Sequence, residues 1–131
     1  MASRDASLEI LFGDGEHRFR LAIGELRELE EKRDAGSPLI LRRLMSNEYR
    51  VDDVYEVIRL GLIGGGMPAT DALKLVKRYV FDRPAWHENS MLASAVLGAA
   101  LMGVEDEEPG KPQAGAAKPR RPSRAKKPTS D

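Results

Sequence analysis

Three consecutive glycines, Gly64–Gly66, stand in the stretch GLIGGGMPATDA. A glycine-rich turn ahead of a helix is one way a protein holds phosphate. A cradle of the P-loop kind needs a strand before the turn and a Lys–Ser/Thr pair at the helix start. Here helical periodicity precedes the glycines, and Met67–Pro68 stands where the lysine would be. A dinucleotide-binding turn also needs a preceding strand. The run therefore reads as the end of one helix and the joint to the next, with Gly64, Gly65 and Gly66 supplying close approach or positive φ.

The remaining chemistry-bearing residues are sparse. His17 and His87 have no second histidine at ligand spacing, and there is no cysteine. His87 and Ser90 sit one helical turn apart, but no Gly-x-Ser-x-Gly elbow surrounds them. The carboxylates of ELRELEEKRD alternate with bases at helical spacing, as on a solvated helix face. A working carboxylate pair needs apolar surroundings that raise one pKa, and this stretch has none. The sequence thus offers no catalytic residue, cofactor cradle or metal cluster, and reads as non-enzymatic.

The strongest charge signal is KPRRPSRAKK near the C-terminus, with Lys118, Arg120, Arg121, Arg124, Lys126 and Lys127. Such a cluster can neutralise phosphates of a nucleic acid, although no aromatic residue is present there to stack on bases. The chain carries 21 basic and 21 acidic residues. That balance is uneven along the chain: residues 1–108 hold 14 basic and 20 acidic side chains, and residues 109–131 hold seven basic and one acidic. An acidic body precedes a basic tail. The lack of cysteine excludes disulfides and thiolate metal sites. The N-terminus has no signal-peptide core. The longest apolar run, Met91–Val104, is 14 residues, short of the roughly 20 that span a bilayer. A soluble intracellular protein is the expectation.

The elements that must position these residues follow from periodicity. SLEILF alternates, with Leu8, Ile10 and Phe12 on one side. Gly13-Asp14-Gly15 is a turn, and HRFRLAI alternates again through Phe19, Leu21 and Ile23. A hairpin alone is marginal in water and needs a cover. The period then becomes helical. Ile23, Leu26 and Leu29 line a first helix that Gly36 ends. Ser37–Pro38 opens a second. Asp52 caps a third with Val51, Val54, Tyr55, Ile58 and Leu62 inward. Thr70 or Asp71 caps a fourth with Ala72, Leu73, Val76 and Val80 inward. Pro84 breaks it and opens a fifth, from about Ala85 to Gly103.

In that last helix Leu92, Ala95, Val96 and Ala99 form one stripe, with Met91, Leu97 and Leu101 off it. A helix apolar on most sides is either central or meets a partner. Trp86, Met91, Leu97 and Leu101 are the partner-binding candidates. The fold class is α+β and mostly α: a β-hairpin on about five short helices over residues 1–104. Residues 105–131 hold five of the eight prolines and no aromatic or branched aliphatic side chain, the composition of a disordered tail.

The order of elements resembles a family of small proteins from tailed phages and gene transfer agents. The matching stretches are FRLAIGELRELEE (Phe19–Glu31), VDDVYEVIRLGLIGGGMPATDALKLVKRYV (Val51–Val80) and the closing apolar helix. IRLGLIGGGM followed by DALKLVKRYV is the most specific piece. The family is labelled tail tube protein or tail assembly chaperone. The resemblance implies a role in tail morphogenesis for a prophage or gene transfer agent, with the tape measure protein and the major tail protein as partners. A tube ring subunit would be a β-sandwich, for which this chain has too few strand signals. A chaperone that coats the tape measure is the expected role, with nucleic-acid binding through the basic tail as the alternative.

Overall fold

Alternating Leu8, Ile10 and Phe12 leave one side of a strand apolar, and the chain uses it as such. In a computed structural model that describes residues 5–82 and 85–103, β1 (Leu8–Phe12) pairs antiparallel with β2 (Gly15–Phe19), Leu8 opposite Phe19 and Phe12 opposite Gly15. The loop is Gly13–Asp14. A two-residue hairpin loop asks for positive φ at its first central residue, and Gly13 has φ of 65°. The inner side chains meet edge to face: the ring centroids of Phe12 and Phe19 lie 6.0 Å apart, and those of Phe12 and Tyr79 6.1 Å apart.

Five helices follow: α1 (Ile23–Arg33), α2 (Ser37–Met45), α3 (Val51–Gly64), α4 (Ala69–Val76) and α5 (Trp86–Met102). A π-helical segment, Lys77–Phe81, continues α4. The architecture is the expected hairpin on five helices. The expected boundaries shift in several places. Ile23 lies past the end of β2 at the start of α1, 65% exposed, so it does not extend the inner face of the hairpin. Helix α1 stops at Asp34, a non-glycine residue with φ of 53°, and short polar side chains tolerate that conformation. Gly36 instead caps the start of α2 in extended conformation. Pro68 stands at the N-cap of α4, ahead of Thr70 and Asp71. Val51 and Leu73, expected inward, are exposed.

The third helix is capped by Asp53 rather than Asp52. Arg50 is the N-cap, and its N–H donates to Asp53 Oδ2 at 2.8 Å. Asp53 is fully buried. Its Oδ1 accepts from Arg33 Nε at 2.8 Å and lies 3.4 Å from Arg43 Nη1. One carboxylate thus ties the end of α1, the end of α2 and the start of α3. A buried charge is tolerable only when paired and hydrogen-bonded, and this one is both. Glu30 does related work one turn earlier. It accepts the Ser37 N–H at 2.7 Å, and that bond holds its carboxyl below the usual value.

Helix α3, and not α5, is central. It packs against α1, α2, α4, α5 and β2. Its buried residues, Val54, Val57, Ile58, Leu60, Gly61 and Leu62, surround most of its circumference. Helix α5 packs on α2 and α3 through Ala93, Val96 and Leu97. Each fully buried side chain of the Val, Leu, Ile or Phe kind contributes about 1.5–3 kcal/mol. The core is continuous from Phe12 and Phe19 through α3 to Ile40 and Leu44 of α2.

Candidate partner-binding face

The glycine run is a helix ending built to receive a strand. Met67 N–H donates to the Leu62 carbonyl and Gly66 N–H to the Ile63 carbonyl, each at 3.0 Å. Those two bonds are the Schellman closure of a helix, which needs positive φ at the residue after the cap. Gly66 supplies it at 116°. The neighbouring glycines have a different task. A Cβ at Gly64 would lie 2.9 Å from the carbonyl carbon of Arg20, and one at Gly65 2.6 Å from that of Arg18, with the oxygens closer still. The exit of β2 runs directly over this helix end. Arg20 N–H donates to the Gly61 carbonyl at 2.9 Å. The close approach is therefore between helix and strand, where helix against helix was expected. The amides of Gly65, Gly66 and Met67, which a phosphate would have to engage, all donate to carbonyls of α3.

Helix α5 carries an exposed apolar stripe. Met91, Ala95, Gly98 and Met102 fall within a narrow wedge of the helix at about 100° per residue. Met91 is 60% and Met102 69% exposed. The stripe is about 16 Å long at 1.5 Å per residue. It joins two clefts. One, of about 770 Å³, lies between β1 and the first half of α5, where Leu11 and Tyr79 face Met91 and Ala95. The other, of about 500 Å³, lies between α2 and the end of α5, lined by Leu41, Met45, Leu101 and Met102.

The four candidates separate accordingly. Met91 is on the stripe and Leu101 in the second cleft. Leu97 is fully buried in the core and is no surface residue, because α5 turns it onto its neighbours. Trp86 is half-buried beside Phe81, 6.2 Å between centroids, and Phe81 stacks on Tyr55 at 4.7 Å. Leu11, Met45 and Met102 were not anticipated. Leu11 has a signal in the alternation of β1, which places it on the outer side. Met45 and Met102 end their helices, and only the approach of α2 to α5 brings them together.

The polar candidates have local partners. Ser90 Oγ donates to the His87 carbonyl at 2.7 Å rather than to its ring, so the pair is a helix-start turn. His17 Nε2 lies 2.7 Å from Asp14 Oδ1, a bond that lowers the Asp14 pKa. Among the described residues no group of three or more His, Cys, Asp and Glu could hold a metal, and no helix is long and apolar enough to cross a membrane. Lys118, Arg120, Arg121, Arg124, Lys126 and Lys127 lie outside the described residues.

The sequence model of one family, phage tail tube protein, GTA-gp10, matches residues 5–103. The chain belongs to this family. The matched span takes in the hairpin, all five helices and the glycine run, and stops where α5 ends. A role among phage tail components, with other tail components as its surroundings in the host cell, follows from that membership. No curated protein and no solved structure matches the chain significantly.

Proposed function

We propose that this member of the GTA-gp10 family is a tail assembly chaperone. It covers the tape measure protein in the bacterial cytoplasm until tube subunits, the major tail protein among them, assemble around it. The exposed stripe Met91–Ala95–Met102 on α5 carries this reading. Contiguous exposed apolar surface marks interaction sites, and methionine adapts to varied apolar partners. An amphipathic helix laid along α5 would cover the stripe and reach the cleft at either end. The single two-stranded sheet among the described residues favours a chaperone over a ring subunit of β-sandwich type. The role needs no catalytic group.

The test is co-expression with the tape measure protein of the same phage or gene transfer agent. The chain should keep that protein soluble and copurify with it. Met91→Glu combined with Met102→Glu should abolish copurification while the thermal midpoint stays near wild type, since both side chains are exposed. Retained copurification in a folded double variant would refute the assignment of the stripe.

A second reading rests on the basic cluster Lys118–Lys127, which can bind nucleic acid electrostatically. Alanine at Arg120, Arg121, Arg124, Lys126 and Lys127 should then abolish retardation of nucleic acid at low salt. Retardation that survives would remove the cluster from consideration.

A further inference from the structure

The exposed stripe of α5 has the spacing of a coiled-coil seam. Glu88, Met91, Ala95, Gly98 and Met102 follow one another at intervals of three, four, three and four residues. That places Glu88, Ala95 and Met102 at a positions and Met91 and Gly98 at d positions of a heptad. A seam repeating every 3.5 residues keeps facing a second helix only when the two cross in a left-handed sense, at about 20°. The two clefts lie where such a helix would pass. Seen from solvent with the start of α5 at the bottom, a right-handed helix carries successive residues to the right. Leu92, in the first cleft, is therefore on the right at the bottom, toward β1. Leu101, in the second, is on the left at the top, toward α2. A line from the first cleft to the second leans up and to the left, which is the left-handed crossing. Spacing and surface shape thus agree independently. Ala95 and Gly98 stand at the middle of that line. A Cβ at Gly98 would meet nothing within 4 Å, so bulky side chains of a second helix have room there.

We propose that the occupant of this seam is a heptad-patterned helix lying antiparallel to α5 in a left-handed crossing, acidic at its N-terminal end and basic at its C-terminal end. The proposal rests on the chaperone reading for the identity of that helix, a segment of the tape measure protein, and adds its pattern and direction. Charge supplies the direction. Between Glu88 and the end of α5 no Asp, Glu, Lys or Arg occurs. Glu88 borders the first cleft and Arg42 the second, and both are exposed. They draw a base to the Glu88 end of the partner and an acid to the Arg42 end. The partner's own helix dipole favours acids in its first turn and bases in its last. Only the antiparallel arrangement satisfies both. A single polar residue at an a position fixes register, and Glu88 has that place. A second copy of the chain would bring two acidic bodies together, each with 20 acidic and 14 basic side chains in residues 1–108, which counts against it as the occupant.

The test uses two synthetic peptides of about 20 residues, long enough to span the stripe with a turn to spare at each end. Both carry leucine at a and d. One has glutamates in its first turn and lysines in its last; the other has these exchanged. Binding to the full chain is read by fluorescence anisotropy. Wild type should bind the first peptide more tightly than the second. The second is also the poorer helix, so the decisive reading is the ratio of the two affinities. Glu88→Lys combined with Arg42→Glu should shift that ratio about tenfold or more toward the second peptide. Both side chains are exposed, so circular dichroism should show this variant folded. Direction is read with thiols, since the chain has none. In Met102→Cys the thiol should form a disulfide with a cysteine at the N-terminal end of the first peptide, and in Met91→Cys with one at the C-terminal end. Peptides that do not bind, an unchanged ratio in the double variant, or the opposite pairing of thiols would each overturn the proposal. So would a full chain that sediments as a dimer and is returned to monomer by Met91→Glu with Met102→Glu, because a second copy would then hold the seam. Peptide results as expected, beside a tape measure protein that fails to copurify, would refute the chaperone reading and leave the seam. The converse would refute the seam and leave that reading.

Discussion

Replacing Gly65 with alanine tests whether the hairpin is seated on the end of α3 by backbone contact. The added Cβ would stand 2.6 Å from the Arg18 carbonyl carbon and nearer its oxygen. Neither atom is the end of a flexible side chain, so β2 must lift from the helix. Lifting it breaks the 2.9 Å bond from Arg20 N–H to the Gly61 carbonyl, at about 1 kcal/mol. It also loosens Phe19 and Leu21, both buried; overpacking of this kind costs roughly 1–3 kcal/mol. The two together predict a loss of about 2–4 kcal/mol. For a domain of this size that is a fall in thermal midpoint of about 10 °C or more. Gly66→Ala meets open space but keeps φ at 116°, so strain of about 1 kcal/mol is expected. Gly98→Ala, in α5 with open space around it, should stabilise by about 0.5–1 kcal/mol. Urea unfolding followed by circular dichroism measures all three. A Gly65→Ala protein within about 0.5 kcal/mol of wild type would refute the seating argument, since surface substitutions away from special features reach no further than that.

Asp53→Ala should cost about 3 kcal/mol, because it leaves Arg33 and Arg43 half-buried without their carboxylate; a thermal midpoint close to wild type would show that water replaces the pair. Glu30→Gln tests the bond to Ser37 through pH. The folded-state pKa of Glu30 is depressed below its ordinary 4.5, so its contribution is present above that value and lost as pH falls through the lowered one. Wild type should therefore exceed Glu30→Gln in stability at neutral pH, with the difference closing in acid. A difference that is constant from pH 7 down to about pH 2 would exclude the carboxylate as its source.

Much of the fold was legible because it is written in period. The alternation of Leu8, Ile10 and Phe12 and the helical spacing of Val54, Ile58 and Leu62 each report one buried side, whatever lies on it. The glycine run was legible as a helix ending for the same reason, since its neighbours on both sides are helical. Caps were less legible. Asp52 and Asp53 are chemically alike, and only the turn of the chain at Arg50 decides which carboxylate points back to the N-cap amide. The same holds at the first helix end, where Asp34 takes the left-handed conformation two residues before the glycine expected to do so.

Residue order alone determined the acidic body, the basic tail, the hairpin and the absence of thiol chemistry. Tertiary structure decided which helix is central. Helices α3 and α5 are both apolar on several sides, and composition does not rank them. The hairpin decides, because its exit strand rests on Gly61, Gly64 and Gly65, where no side chain holds it away. With β2 on one side and α1, α2, α4 and α5 on others, α3 buries Val54, Val57, Ile58, Leu60 and Leu62, and α5 keeps Met91 and Met102 in solvent. A periodic pattern states that a face is apolar; only the neighbours that reach it determine whether it is core or a surface open to a partner.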